Sequence, residues 1–235
     1  MNIVILTGAG ISAESGINTF RAADGLWENH RVEDVASPEG FARDPALVHQ
    51  FYNMRRRQLL SDQVVPNPAH AAIAKLQREY QGSVLLVTQN VDDLHERAGS
   101  AEVVHMHGEL LKLRCQHCEA VFRNERDCSP QQACPTCREH GGLRPDIVWF
   151  GEMPMAMERI YDALDMADLF VAIGTSGHVY PAAGFVQVAH AAGAATLELN
   201  LEESHVTSAF DKSWRGLASD IVPQWVESLL SGPNS

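Results

Sequence analysis

Three short apolar runs limit what this chain can become: Ile3-Val4-Ile5-Leu6, Val84-Leu85-Leu86-Val87 and Leu169-Phe170-Val171-Ala172-Ile173. None alternates polar with apolar residues, so a strand built from any of them has to be buried on both faces. Each runs into small or polar residues, TGAG, TQNVDD and GTSGH, and a fourth run, Ala195-Thr196-Leu197-Glu198-Leu199, ends at Asn200. Helical candidates lie between them: Ala69 to Tyr80, Met155 to Met166, Ala182 to Ala192 and Ile221 to Leu230. Buried strands alternating with helices predict an α/β protein, a parallel sheet covered by helices on both faces. Ligands of such sheets sit beyond the carboxyl ends of the strands, and here each of those ends is polar, small or both.

Two segments break the alternation. From about Asp24 to Asn67 the chain reads as helical, with HQFYNMRRRQLL its most helix-like part, and no strand is expected over residues 24–34. From about Glu109 to Arg144 it is polar and holds all five cysteines. These two insertions are expected to form a small lobe, helical over 24–67 and cysteine-bearing over 109–144. The large domain would then be made from 1–23, 68–108 and 145–231. The tail, residues 231–235, is expected to fray. With 235 residues, 45% hydrophobic and 20% charged, the chain can build a substantial core. Its net charge of −12, from 18 basic and 30 acidic residues, excludes binding to nucleic acid through the overall field. No apolar run approaches the length that spans a bilayer. MNIVILTGAG lacks the basic region and cleavage site of a secretory leader, so a cytoplasmic location is expected.

The cysteines form two pairs, Cys115-x2-Cys118 and Cys134-x2-Cys137, separated by 15 residues (119–133). That spacing presents four thiolates to one tetrahedral zinc ion. Four sulfurs leave no vacancy for water, so the ion is structural and would supply much of the folding free energy of a polar lobe. Two such pairs together argue against a redox dithiol. Cys128 is spare, since its spacing to Cys137 does not fit a C-x-x-C turn, and His117 and His140 are expected at the surface.

Gly8-x-Gly10-x-x-Ala13 follows a strand and precedes a short helical stretch, the context of a dinucleotide fingerprint. On that reading Gly8 permits the turn, Gly10 lets backbone approach a pyrophosphate, Ala13 allows close packing, and the helix start favours the anion. A plain strand–turn–helix accounts for the same residues equally well. The acidic residue that the fingerprint places about 20 residues on, at the end of a second strand, is missing. That argues against a hydride-transfer dehydrogenase and means that the ribose is held elsewhere.

GAGISAESGINTFR, TQNVDDLHERAG, HMHGEL, the four-cysteine ribbon, IVWFGE, AIGTSGHVYPAA and ELNLE occur in that order. Together they resemble the sirtuins, NAD-dependent protein-lysine deacylases, and among them the bacterial members of the class that includes the desuccinylases. The resemblance covers essentially the whole chain. It implies a large Rossmann-like domain and a small zinc lobe, with NAD and acyl-lysine meeting in the cleft between them. NAD would be consumed as co-substrate, giving nicotinamide, free lysine and 2′-O-acyl-ADP-ribose. It also implies acylated-lysine proteins as partners and a monomeric enzyme.

Carried over motif by motif, Gly8, Ala9, Gly10, Ala13, Phe20 and Arg21 would line the NAD pocket. Gln89, Asn90 and Asp92 would surround the nicotinamide and its ribose, and Gly174, Thr175 and Ser176 would hold phosphate and ribose. Asn200, Leu201 and Glu202 would flank the adenosine, and Ala218 would touch adenine. Val148, Trp149 and Phe150 would run beside the substrate peptide and pair with its backbone. His107 would be the catalytic base, a neutral imidazole taking a proton from a ribose hydroxyl. On a strand His105 would point to the same face, so spacing alone does not choose between the two; the family match selects His107.

Tyr52 and Arg55 stand three apart on a helical stretch and so share a face. They resemble the pair that marks sirtuins removing succinyl, malonyl or glutaryl groups, where a phenol and a guanidinium bind the terminal carboxylate. Read without the family, Arg55-Arg56-Arg57 is a solvated charge run. Two rival functions share these features: a sirtuin-like ADP-ribosyltransferase, and a non-catalytic module that binds NAD or carries a zinc ribbon.

Overall fold

The computed structural model describes residues 1–18, 26–27 and 30–232. In chain order the elements are β1 (Asn2–Thr7), α1 (Ala9–Ser12), β2 (Leu26–Trp27), β3 (His30–Arg31), α2 (Val32–Val35), α3 (Pro38–Arg43), α4 (Pro45–Leu59) and α5 (Pro68–Glu79). Then follow β4 (Ser83–Thr88), α6 (Leu94–Arg97), β5 (Val104–His105), β6 (Gly108–Cys115), β7 (Val121–Arg123) and β8 (Leu143–Ile147). The last are α7 (Met157–Asp165), β9 (Leu169–Ile173), α8 (Phe185–Ala191), β10 (Ala195–Asn200), β11 (Lys212–Arg215) and α9 (Ala218–Leu230).

Six strands form one sheet in the order β11-β10-β9-β1-β4-β5, every neighbour parallel. Successive side chains of β1 leave on opposite faces. Ile3 and Ile5 enter a core with Ala69, Ile73 and Leu76 of α5 and Val222 and Trp225 of α9. Val4 and Leu6 enter a second core with Ile160 and Leu164 of α7 and Phe185 and Val186 of α8. Each aliphatic side chain buried this way contributes about 1.5–3 kcal/mol, which is why the central strands carry no polar face. The expected parallel sheet with helices on both faces is therefore present.

The outer strands differ from the sequence reading. β5 is two residues long, and β11 (KSWR) is exposed throughout. A short charged strand is what a sheet edge tolerates, and it carries no apolar run to betray it. Residues 24–34, where no strand was expected, contain the antiparallel pair Leu26–Trp27 and His30–Arg31. That pair stands apart from the sheet, so among the described residues of this stretch there is no second parallel strand ending in an acidic residue.

Beside the sheet, α2 to α4 pack on β6 and β8 through Val35, Phe41, Val48, Phe51, Leu59, Leu110 and Trp149. α4 starts where Asp44 Oδ1 accepts the Leu47 N–H at 2.9 Å and Pro45 occupies the first turn. β7, β6 and β8 form a three-stranded antiparallel sheet whose far end carries the cysteine turns. The core there consists of Leu113, Leu143 and buried cysteines. Among the described residues no helix is long and apolar enough to cross a membrane.

Candidate active site

The carboxyl ends of β1, β4, β9 and β10 converge. Gly8 N–H donates to the Ile173 carbonyl at 2.9 Å and Gly10 N–H to the Gly174 carbonyl at 2.8 Å. A Cβ on Gly10 would stand 2.7 Å from Gly174 Cα, closer than carbons tolerate. Gly8 has φ −125°, which any residue adopts, and a Cβ there would meet the Gly174 carbonyl at 2.8 Å. The glycines therefore let two loops touch, which corrects the expectation that Gly8 serves the turn itself. Ala13 is exposed, so it provides no close packing. Phe20 and Arg21 lie outside the described residues.

Ser12 is the hub of a buried polar network. Its hydroxyl donates to Asp92 Oδ2 at 3.0 Å and accepts from Asn90 Nδ2 at 3.1 Å. The Asn67 N–H donates to His70 Nδ1 at 3.3 Å, which leaves the proton on Nε2, 3.5 Å from the Ser12 oxygen. Asn90 Nδ2 also donates to the Gly8 carbonyl at 3.1 Å. Below it, Thr7 donates to Thr88 at 2.8 Å, and His95 Nε2 lies 3.0 Å from the Thr7 hydroxyl. Burial raises the Asp92 carboxyl to about 6, against the pull of the Leu94 N–H and Ser12. Burial lowers His70 to about 4 and His95 well below the usual range, so both are neutral. Ser12, Asn67, His70 and His95 were not among the expected site residues; Ser12 lies inside the quoted GAGIS run, and His70 closes a capping box with Asn67.

On the adjoining ledge, Gln89 Nε2 donates to Thr175 Oγ1 at 3.0 Å and Asn200 Nδ2 to the Thr175 carbonyl at 2.8 Å. Ser176, Leu201 and Glu202 are exposed at its rim, and Ala218 opens α9 half-buried. Neutral amides and hydroxyls beside a glycine-tight crossing fit the ribose and carboxamide groups of a dinucleotide.

β5 ends at His105, so His107 lies in a turn and the two do not share a strand face. His105 meets two oxygens, the Asn90 carbonyl at 3.3 Å and Glu96 Oε1 at 2.7 Å. Two acceptors require two N–H groups, an imidazolium. Its pKa is raised accordingly, because the bond and charge of Glu96 outweigh burial. His107 Nδ1 donates to the Gln89 carbonyl at 3.1 Å, which places the lone pair of the neutral ring on Nε2. Burial lowers its pKa, so it stays an available base at neutral pH.

In the small helical layer Tyr52 is buried on α4, and its hydroxyl accepts the Trp149 indole N–H at 2.9 Å. Burial pushes the phenol out of the titrating range of an ordinary tyrosine. Arg55 lies 4.1 Å over the Phe51 ring and donates to the Phe51 carbonyl at 3.2 Å. The three arginines do not form a solvated run: Arg56 is 1% exposed and donates to the Leu110 carbonyl at 3.3 Å, and the exposed Arg57 pairs with Asp127. The N–H groups of Val148, Trp149 and Phe150 are taken by the His107 carbonyl, Glu152 and the Ala36 carbonyl. A peptide strand laid beside them would have to use their carbonyls.

Cys115, Cys118, Cys134 and Cys137 bring four Sγ atoms within 4.8 Å of one another, with 3.7 Å from Cys115 to Cys137 and 3.8 Å from Cys118 to Cys134. A tetrahedron of Zn–S bonds of about 2.3 Å has edges of about 3.8 Å, so the set fits a zinc ion. Cys128 stands outside it: Asn53 holds its backbone, accepting the N–H at 2.9 Å and donating to the carbonyl at 2.8 Å.

Residues 8–181 match the sequence pattern of the Sir2 family. A protein of Escherichia coli strain K12 named NAD-dependent protein deacylase is 61% identical over 230 residues, 98% of this chain and 82% of the relative. A protein of the same name from Vibrio cholerae serotype O1 is 60% identical, over 98% of this chain and 94% of its own length. A crystal structure of a Sir2 homologue–NAD complex superimposes with a TM-score of 0.87 at 41% identity, covering 97% of this chain and 89% of that one. A Sir2–p53 peptide–NAD+ structure does so with a TM-score of 0.80 at 28% identity, covering 96% and 92%.

Proposed function

The chain belongs to the Sir2 family and is an NAD-dependent protein deacylase with a four-cysteine ribbon suited to one zinc ion, and we propose that it removes succinyl and malonyl as well as acetyl groups from lysine. The observation that carries the dicarboxylic part is the α4 pair: a buried phenol fixed by an indole, with a guanidinium one turn on. A cation and a hydroxyl facing one acyl terminus bind a carboxylate by charge-assisted hydrogen bonds.

When bound, NAD supplies a glycosidic bond that breaks with release of nicotinamide and an ADP-ribose that takes up the acyl group. In this reading Asn90, oriented by Gly8 and Ser12, and Asp92, held by Ser12 and Leu94, grip the nicotinamide carboxamide. Gly8, Ala9, Gly10, Gly174, Thr175 and Ser176 border the phosphates and ribose, with Phe20 and Arg21 assigned by sequence alone. Gln89 braces Thr175, and Asn200, Leu201, Glu202 and Ala218 lie on the adenosine side. His107 Nε2 accepts the ribose hydroxyl proton, which the neutral tautomer supports. Val148 to Phe150 flank the acyl-lysine peptide. The clustered, metal-matched cysteines support a reducing compartment, the cytoplasm, as the enzyme's location, and the relatives named protein deacylases support acylated proteins as its substrates.

The test is a panel of acetyl-, propionyl-, succinyl- and glutaryl-lysine peptides, with and without NAD, read by mass spectrometry. The reading expects free lysine with acyl-ADP-ribose, from succinyl as well as acetyl peptides and only with NAD. ADP-ribosylated protein in its place would establish the transferase instead.

A further inference from the structure

Val148 and Trp149 follow the end of β8 without regular structure, yet Trp149 is 2% exposed. Its backbone N–H donates to Glu152 Oε2 at 2.8 Å, and its indole N–H reaches Tyr52. Over the ring lies the Arg144 guanidinium, 3.4 Å from the centroid. Arg144 donates to both carboxylate oxygens of Glu152, at 2.6 and 2.9 Å, and to the Ile147 carbonyl at 2.8 Å. Its side chain is 10% exposed and that of Glu152 29%. A bidentate pair so placed is not a screened surface bridge, and a planar cation against an indole gains from the same desolvation. One hydrogen bond would close a turn of this size. Here the pair also holds a buried ring whose indole N–H reaches the Tyr52 hydroxyl.

We propose that Arg144 and Glu152 are positioning residues for the acyl substrate: together they fix the Val148–Phe150 strap and, through the Trp149 indole, the phenol of Tyr52. The Tyr52 half rests on the reading of Tyr52 as an acyl-recognising residue. Neither side chain joins the network of Ser12, Asn90 and Asp92, so the couple acts on the peptide side of the cleft and not on NAD.

Arg144→Lys keeps the cation but loses the planar fork, and Glu152→Gln keeps the shape but offers only one acceptor. Each is expected to raise KM for acetyl- and succinyl-lysine peptides about tenfold, with the succinyl-to-acetyl ratio of kcat/KM falling further. The Kd for NAD should stay within about twofold, and the zinc content should stay at one ion per chain. The double variant should be no worse than the worse single, because the two residues act as one couple. Unchanged peptide KM in both variants overturns the proposal. So does a rise in NAD Kd matching the rise in peptide KM, which marks general loosening, and so does additivity in the double variant. If Glu152→Gln melts below the assay temperature, the milder Arg144→Lys decides. If the wild-type enzyme removes no succinyl group, the dicarboxylate reading fails by itself, and the KM for the acetyl peptide still decides the strap.

Discussion

His105 and His107 stand two positions apart and carry their protons differently, because one meets a carboxylate and a carbonyl and the other a single carbonyl. The second keeps a basic nitrogen at neutral pH, because burial lowers its pKa. Replacing His107 with Tyr should lower deacylation by about 10²–10⁴-fold with the calorimetric Kd for NAD kept, the range of a lost general base. His105→Gln should show mainly as lost stability, since it breaks the pair with Glu96. If the two variants lose activity equally, the assignment of the base is wrong. For wild-type enzyme, kcat/KM should fall as pH drops through the lowered pKa of His107, below the ordinary histidine value. On α4, Arg55→Met should cost desuccinylation on the order of 2–5 kcal/mol in kcat/KM and deacetylation much less. Equal losses on both peptides would remove the carboxylate pocket.

Elements depend on contacts that one atom can break. Gly10→Ala puts a methyl against Gly174, so the β1 and β9 loops must part; a lower Tm and weaker NAD binding are expected together. The ribbon has two leucines and its cysteines for a core, so chelation should unfold it. Asn53 ties the ribbon backbone to α4, so the loss should reach the lobe and appear as a lower Tm of the whole chain, restored by added zinc. A Tm indifferent to chelator would show that the metal holds nothing. The same contacts explain what the sequence disclosed. The central strands were legible because burial on both faces forces continuous apolar runs, and the zinc site because each ligand pair spans one turn. β5 and β11 were not, since two residues or a polar edge leave no such trace. The Ser12 network joins residues 58 and 80 positions apart, and no local pattern reports that. The arginine run left two readings open because sequence cannot tell which side of a helix, here that of Arg56, faces a neighbour.

Across the whole molecule the buried groups pull stability against pH in opposite directions. His70 has its pKa lowered by burial from 6.5 to about 4. Between those values the unfolded chain takes up a proton that the folded chain refuses, so stability is full above 6.5 and declines as pH falls towards 4. The shift corresponds to about 3 kcal/mol when complete. His49, lowered to about 4 by burial and by Arg56, and the deeply buried His95 act in the same sense. Glu96 and Glu152 have lowered pKa values despite burial, through His105 and Arg144, so they too lose stability as pH falls. Asp92 opposes them: burial raises it from 3.8 to about 6, so over that interval the folded chain binds the extra proton and acidification favours it. Asp93, raised by burial, and His105, raised by Glu96 against burial, act in the same sense as Asp92. More groups sit on the first side, and Tm should therefore fall as pH is lowered from about 7 to about 4. Asp92→Asn removes one opposing group and should steepen the fall; His70→Gln removes one driving group and should flatten it. Calorimetry of the three proteins across that range decides the matter, and a Tm that rises on acidification, or identical slopes in all three, would show that these buried groups do not govern the pH dependence of the fold.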